Sequence, residues 1–416
     1  MDNQVKMNVT SETGRIEAVI LHPPGHEVEY MTPITAERAL YSDLLNLSVA
    51  IKEYNQLKGI LEKYTRTFEL KKLLVETLAD PKLKENFITQ TCSSFKDNVI
   101  FDYLNGLNND QLANQLIEGV PVINNTLTNY LSEEKYALGP LHNFFFTRDA
   151  SFTINNNVVI SKMAKTVRKR ESKIMAFIFS HHPDFHGEVI DLSAVPDKDE
   201  SITIEGGDVL VVSEKVLVLG LGSRTSSRGV DELLHSLKGN SSLEYVIVQE
   251  LPHSPESFIH LDMVFTLLDN DLCMVYAPLI LGPNKYQTVL IKMEQGEIAD
   301  ISNTDNLLVA LKRTGHDFKP LYCGGKQDHV IQEREQWHSG ANFFALAPGK
   351  VIGYERNVYT SEELGSNGFT VLSANEVIKN NVNIDSYKKL LITIEGSELS
   401  RGGGGARCMT MPLKRS

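Results

Sequence analysis

The chain has 416 residues, enough for two or three average domains or for one large architecture with an insertion. Hydrophobic residues make up 42% and charged residues 23%, which is ordinary for a water-soluble globular chain. A net charge of −12 with no basic stripe excludes a general nucleic-acid partner, and no apolar run is long enough to span a membrane.

In chain order, residues 15–21 read as a first strand. From 71 to 136 the pattern turns helical, with periodic stretches at 71–78, 83–91 and 109–118; Asp80-Pro81 breaks the first, and an Asn/Asp cap signal opens the last. This predicts a helical insertion at 71–136, with 1–70 and 137–416 forming the main α/β domain. Strand–turn–strand patterns follow at 151–163, 209–221, 263–277 and 342–355, with helices at 169–180 and 228–237. The apolar stretches 390–394 and 409–413, together with 15–21, complete a fifth unit between the two ends. Repetition at roughly 50–80 residues predicts a radial array in which each unit buries its apolar face on its neighbours.

The cysteines Cys92, Cys273, Cys323 and Cys408 lie far apart with no CxxC spacing. That speaks against a zinc site and a disulfide framework and fits reduced thiols. Met1-Asp2-Asn3-Gln4 lacks signal-peptide character, so a cytoplasmic location is expected. His181-His182-Pro183-Asp184-Phe185-His186 reads as a polar loop rather than a metal cluster, because Pro183 breaks the helix that would align its histidines. Cys323-Gly324-Gly325 lacks acidic and histidine partners and reads as structural.

Cys408 is different. It closes the run Arg401-Gly402-Gly403-Gly404-Gly405-Ala406-Arg407, in which glycines allow close backbone approach to a ligand. Asp149 and Glu205 stand just before the first and second hairpins, and His260 and Asp262 open the third. In a ring of like units these positions face one axis, so the five side chains are expected to converge on one pocket. On a strand, His260 and Asp262 would also point to the same face.

Two carboxylates, a histidine and a thiolate suit a planar cation with an electrophilic carbon. Asp149 and Asp262 would grip a guanidinium through paired N–H donors. Cys408 would attack its central carbon, and His260, oriented by Glu205, would protonate departing ammonia and then activate water.

The same residues lie in motifs that resemble the arginine deiminases, within the guanidino-group-modifying superfamily. The resemblance runs through Gly14-Arg15 to His22-Pro23-Pro24-Gly25, Phe146-Thr147-Arg148-Asp149, Glu205-Gly206-Gly207-Asp208 and His260-Leu261-Asp262. It continues through Arg334-Glu335-Gln336-Trp337, Ala347-Pro348-Gly349, Tyr354-Glu355-Arg356-Asn357 and Arg407-Cys408-Met409-Thr410-Met411-Pro412. It implies a five-bladed pseudosymmetric α/β propeller, the pentein fold, with an inserted helical domain. It further implies conversion of L-arginine to L-citrulline and ammonia without metal or organic cofactor, in a homo-oligomer, dimer or tetramer. By motif, Asn143 and Phe146 would line the substrate site, and Arg168 and Arg224 would bind the substrate's α-carboxylate. Relatives commonly carry a further arginine where this chain has Gly403, which makes Arg401 the candidate to replace it. The rival expectations are a superfamily hydrolase or amidinotransferase acting on another guanidine or ureido compound, and a non-catalytic arginine sensor.

Overall fold

The computed structural model describes residues 4–33, 35–36, 41, 43–93, 95, 98–196, 202–239 and 242–416. Five mixed sheets share one topology: an antiparallel pair, then a helical connection, then a third strand parallel to the second. Ser151–Ile154 pairs antiparallel with Asn157–Ile160, and after the helix Lys169–His181 the strand Glu188–Asp191 joins in parallel. The plan recurs in Val209–Ser213, Val216–Leu221 and Tyr245–Glu250, in Phe265–Leu267, Leu272–Val275 and Lys319–Tyr322, and in Phe344–Ala347, Lys350–Tyr354 and Leu390–Ile394.

The remaining sheet joins the two ends of the sequence. Met411–Arg415 runs antiparallel to Ile16–Leu21, which runs parallel to Arg66–Glu69 after the helix Leu47–Tyr64. Cys408 therefore stands just before a strand that this sheet pins in place.

Local chemistry explains the element ends. Ser226 accepts from the Gly229 N–H to cap Ser227–Ser236, and Asn108 and Gln111 form a reciprocal capping box on Asn109–Glu118. Asp80 caps Pro81–Cys92, where proline costs nothing because its missing N–H would have no helical partner.

The described residues of the helices between 70 and 118 pack into a core that they share with the sheets. Leu73, Ile88, Leu104 and Leu116 are buried in the same apolar cluster as Val158 and Met411 from the sheets and Ile174 from the helix Lys169–His181. An added hairpin, Thr288–Glu294 with Glu297–Thr304, widens one sheet to five strands and had no counterpart in the sequence pattern. Among the described residues, no helix is long and apolar enough to cross a membrane. In the 181–186 segment, His182 Nε2 lies 3.0 Å from Glu76 while His186 is exposed.

Candidate active site

Short turns stand just before the first strand of several sheets, and they carry the predicted polar residues. Asp149 lies in the turn Thr147–Ala150 before Ser151, and Glu205 precedes the turn Gly206–Asp208 before Val209. His260 and Asp262 do not lie on a strand, contrary to the expectation. His260 is the extended residue that caps the turn Leu261–Met263, and Asp262 lies inside that turn. The Leu261 N–H donates to Asp208 Oδ1 at 2.8 Å, which anchors this turn to the preceding unit.

The glycine segment is tied down rather than loose. Tyr354 Oη donates to the Gly404 carbonyl at 2.9 Å, and the Arg148 N–H donates to the Cys408 carbonyl at 3.1 Å. The latter bond couples the Cys408 backbone directly to the turn that carries Asp149.

These elements enclose a cavity of about 20 Å³ lined by Asn143, Phe146, Asp149, Arg168, Arg224 and Ile259, with His260, Gly402 to Gly404 and Cys408 completing the wall. Such a volume holds one water rather than an amino acid. Cavities of about 380 and 530 Å³ lie elsewhere, and one of about 320 Å³ adjoins the site through Asn143 and Arg168, but none is lined by a cysteine, so chemistry rather than size marks the site.

Within it, His260 Nε2 lies 3.0 Å from Glu205 Oε2 and Nδ1 lies 3.7 Å from Asp149 Oδ1. Burial opposes a charge on His260, yet Asp149 and the bond to Glu205 outweigh it and raise its pKa to about 9. Cys408 Sγ sits 3.6 Å from Asp262 Oδ2. Burial, then Asp262 and Asp149, push its thiol well above the usual range. At neutral pH the site therefore pairs a neutral thiol with an imidazolium.

Of the predicted residues, Asn143, Phe146, Asp149, Arg168, Arg224, His260 and Cys408 line the cavity, whereas Glu205 and Asp262 do not and reach it through His260 and Cys408. Arg168 does not face an open carboxylate-binding surface. It donates to Asp149 Oδ2 at 2.8 Å and forks onto Glu171, with Glu205 3.7 Å away. Arg401 lies outside the cavity and is 43% exposed, with Nη1 donating to Asp43 at 2.7 Å. Gly403 holds a left-handed φ of 81°, and a Cβ built there would meet nothing within 4 Å. Two buried atoms facing this region have no hydrogen-bond partner: Asp149 Oδ1, an acceptor, and Arg224 Nη1, a donor.

Asp149, Glu205 and His260 offer three atoms within 4.8 Å of one another, close enough to hold a cation. Arg168 and Arg224 each already lie 3.7 Å from Glu205, and this adjacent positive charge opposes a dication at the same place.

Several supporting residues were not singled out from sequence. Arg407 forks onto Glu12 at 3.0 and 3.1 Å and donates to Asp262 Oδ2 at 2.9 Å, all three buried. Glu12 and Arg407 are 395 positions apart, so no local pattern could pair them. Asn342 donates to Cys408 Sγ. Its signal was its place at the head of the fourth hairpin, where it was counted as strand.

Burial opposes a charge on Glu12, but Arg407 and Arg148 hold its pKa at about 2, below the ordinary 4.5. Its stabilisation is thus present above about 4.5 and lost as pH falls towards 2. Glu12→Gln is expected to cost about 3–5 kcal/mol at neutral pH, because it strips a buried guanidinium of a partner. Denaturant midpoints should show the gap from the wild type narrowing across that acid window.

The arginine deiminase family model matches residues 37–415. The chain belongs to the arginine deiminase family. Arginine deiminases of Listeria monocytogenes serotype 4a and Oenococcus oeni are each 33% identical to it, over 100% and 98% of this chain and 99% and 97% of theirs. The fold resembles the N-terminal domain of ArgZ covalently bound to a reaction intermediate, with TM-score 0.52 and 14% identity over 96% of this chain and 98% of that one. It also resembles a dimethylarginine dimethylaminohydrolase adduct, with TM-score 0.52 and 12% identity over 95% and 99%. These neighbours share the mixed α/β pentein fold.

Proposed function

We propose that the chain hydrolyses L-arginine to L-citrulline and ammonia through a covalent thiouronium on Cys408. The observation that supports this best is one cavity lined by a thiol, an imidazole and a buried carboxylate oxygen, Asp149 Oδ1, still lacking a donor. The substrate guanidinium takes the place between Asp149 and Asp262. Its positive charge beside Cys408 favours the thiolate, whose proton passes to water.

The sulfur then attacks the guanidinium carbon: a C–S bond forms and the C=N π pair moves onto nitrogen. The His260 imidazolium gives its proton to one amino group, the C–N bond breaks, and ammonia leaves a thiouronium cation. Neutral His260 next takes a proton from water as the hydroxide adds to carbon. The C–S bond breaks, the thiolate returns and the ureido product loses its extra proton. Glu205 holds the imidazole in place through both halves.

At the far end, Arg224 Nη1 and Arg168 would meet the α-carboxylate. Arg168 first has to yield Asp149 to the substrate guanidinium, an exchange favoured when the incoming ligand brings its own carboxylate. Arg224→Ala is expected to lower kcat/KM for L-arginine by roughly 10–150-fold, the worth of one charge-assisted contact, and for agmatine far less. Citrulline and ammonia assays over a guanidine panel test the assignment. Turnover of another guanidine with none of L-arginine would reject it.

The five like sheets are read here as the units of one pseudosymmetric propeller, with 71–136 as its helical insertion and the cavity on its axis. Arg401, turned to the surface, is left without a role in binding.

A further inference from the structure

We propose that Asn342 is a catalytic residue that stabilises the Cys408 thiolate by donating a side-chain N–H to its sulfur. The contact is short: Asn342 Nδ2 lies 3.1 Å from Cys408 Sγ, and both residues are buried.

The amide cannot face the other way. Its Oδ1 accepts the Arg407 N–H at 2.9 Å, and Nδ2 also donates to the Asp262 carbonyl at 3.1 Å. Turning the amide over would set oxygen against the Asp262 carbonyl and an NH2 against the Arg407 N–H. Of the two hydrogens on Nδ2, one goes to the Asp262 carbonyl; the other has Cys408 Sγ at 3.1 Å and Met263 Sδ at 3.8 Å, and the nearer sulfur takes it. Gly405 makes room for this clamp, since a Cβ there would come within 2.6 Å of Asn342 Oδ1.

The sulfur needs such a donor. The carboxylate of Asp262 at 3.6 Å can accept a proton from the thiol but repels the thiolate. Asn342 acts in the opposite sense, because its dipole attracts negative charge on sulfur more strongly than a neutral thiol. Burial away from water magnifies that difference. Asn342 also stands two residues before the strand Phe344–Ala347, a place like that of Asp149 before Ser151–Ile154. With it, all five sheets contribute a polar group to one site.

The role rests on Cys408 being the nucleophile, but its test does not depend on the substrate. The rate of Cys408 alkylation by iodoacetamide would be followed against pH in the wild type, Asn342→Asp and Asn342→Ala, with alkylation located by peptide mass spectrometry. Asn342→Asp keeps the shape and the acceptor for the Arg407 N–H but sets a carboxylate beside the sulfur, so Asn342→Ala, which adds no charge, decides the reading. Both variants are expected to shift the midpoint upward by about 1–2 pH units, and kcat/KM to fall roughly 10–100-fold in parallel. A folded variant whose alkylation profile overlies that of the wild type would overturn the proposal, even with kcat/KM reduced, because Asn342 would then be a packing residue. Loss of arginine turnover by the wild type itself would instead count against the substrate assignment and leave the alkylation test standing.

Discussion

Cys408→Ala should leave a folded protein with no measurable citrulline production, a loss of roughly four to six orders of magnitude. The substitution removes one sulfur from a wall held by other contacts: the Arg148 N–H to the carbonyl of residue 408, and Tyr354 to the Gly404 carbonyl. Thermal unfolding should therefore change little. Removing the thiol also takes a titrating group away from Asp262 and Asp149, so L-arginine affinity by calorimetry should be retained. Activity within tenfold of the wild type would remove Cys408 from the reaction. An arginine sensor would show a different outcome, in which binding and its response survive and the wild type never released ammonia.

His260→Asn should lower kcat by about 10²–10⁴-fold, because one imidazole serves both the ammonia-releasing and the water-activating half-reactions. The pH dependence has a definite sign. The imidazolium is raised to about 9 from 6.5, so its contribution to stability is fully present below 6.5 and lost as pH rises through 9. The proton needed by the leaving ammonia disappears over the same rise. The wild type should therefore lose kcat/KM on the alkaline side near pH 9, and His260→Asn should lack that limb. Stopped assays across pH 6 to 10 would show an unchanged alkaline limb in the variant if His260 were not the proton donor.

Much of this site could be read before its geometry was known, for a physical reason. The β-rich hairpins leave a strong alternating signal, and the turn before each one is a short, polar, recognisable interval. Val209–Ser213 with Val216–Leu221 is almost continuously β-branched or leucine, so Glu205 before it stood out. The hairpin Thr288–Glu294 with Glu297–Thr304 gave no such signal, because its outer strand is mostly exposed and carries Glu, Asp, Ser and Asn. His260 and Asp262 were paired on a strand face they do not share: His260 caps the turn Leu261–Met263, and Asp262 lies inside it.

Long-range ion pairs were illegible. Glu12 reaches Arg407, 395 positions away, only because the two ends of the chain share a sheet. Arg401 shows the opposite failure. Its place in the glycine run suggested a ligand contact, whereas Asp43 holds its side chain on the surface. Side-chain direction at the edge of a loop is set by such tertiary partners, which the local sequence does not name.

The most direct measurement is a single turnover of enzyme in excess over L-arginine, quenched in acid at successive times, with ammonia, citrulline and the peptide bearing Cys408 followed together. The mechanism predicts that ammonia appears before citrulline while a thiouronium adduct on Cys408 rises and decays between them. Simultaneous release of ammonia and citrulline, with no adduct on Cys408 at any time even in His260→Asn, would contradict it.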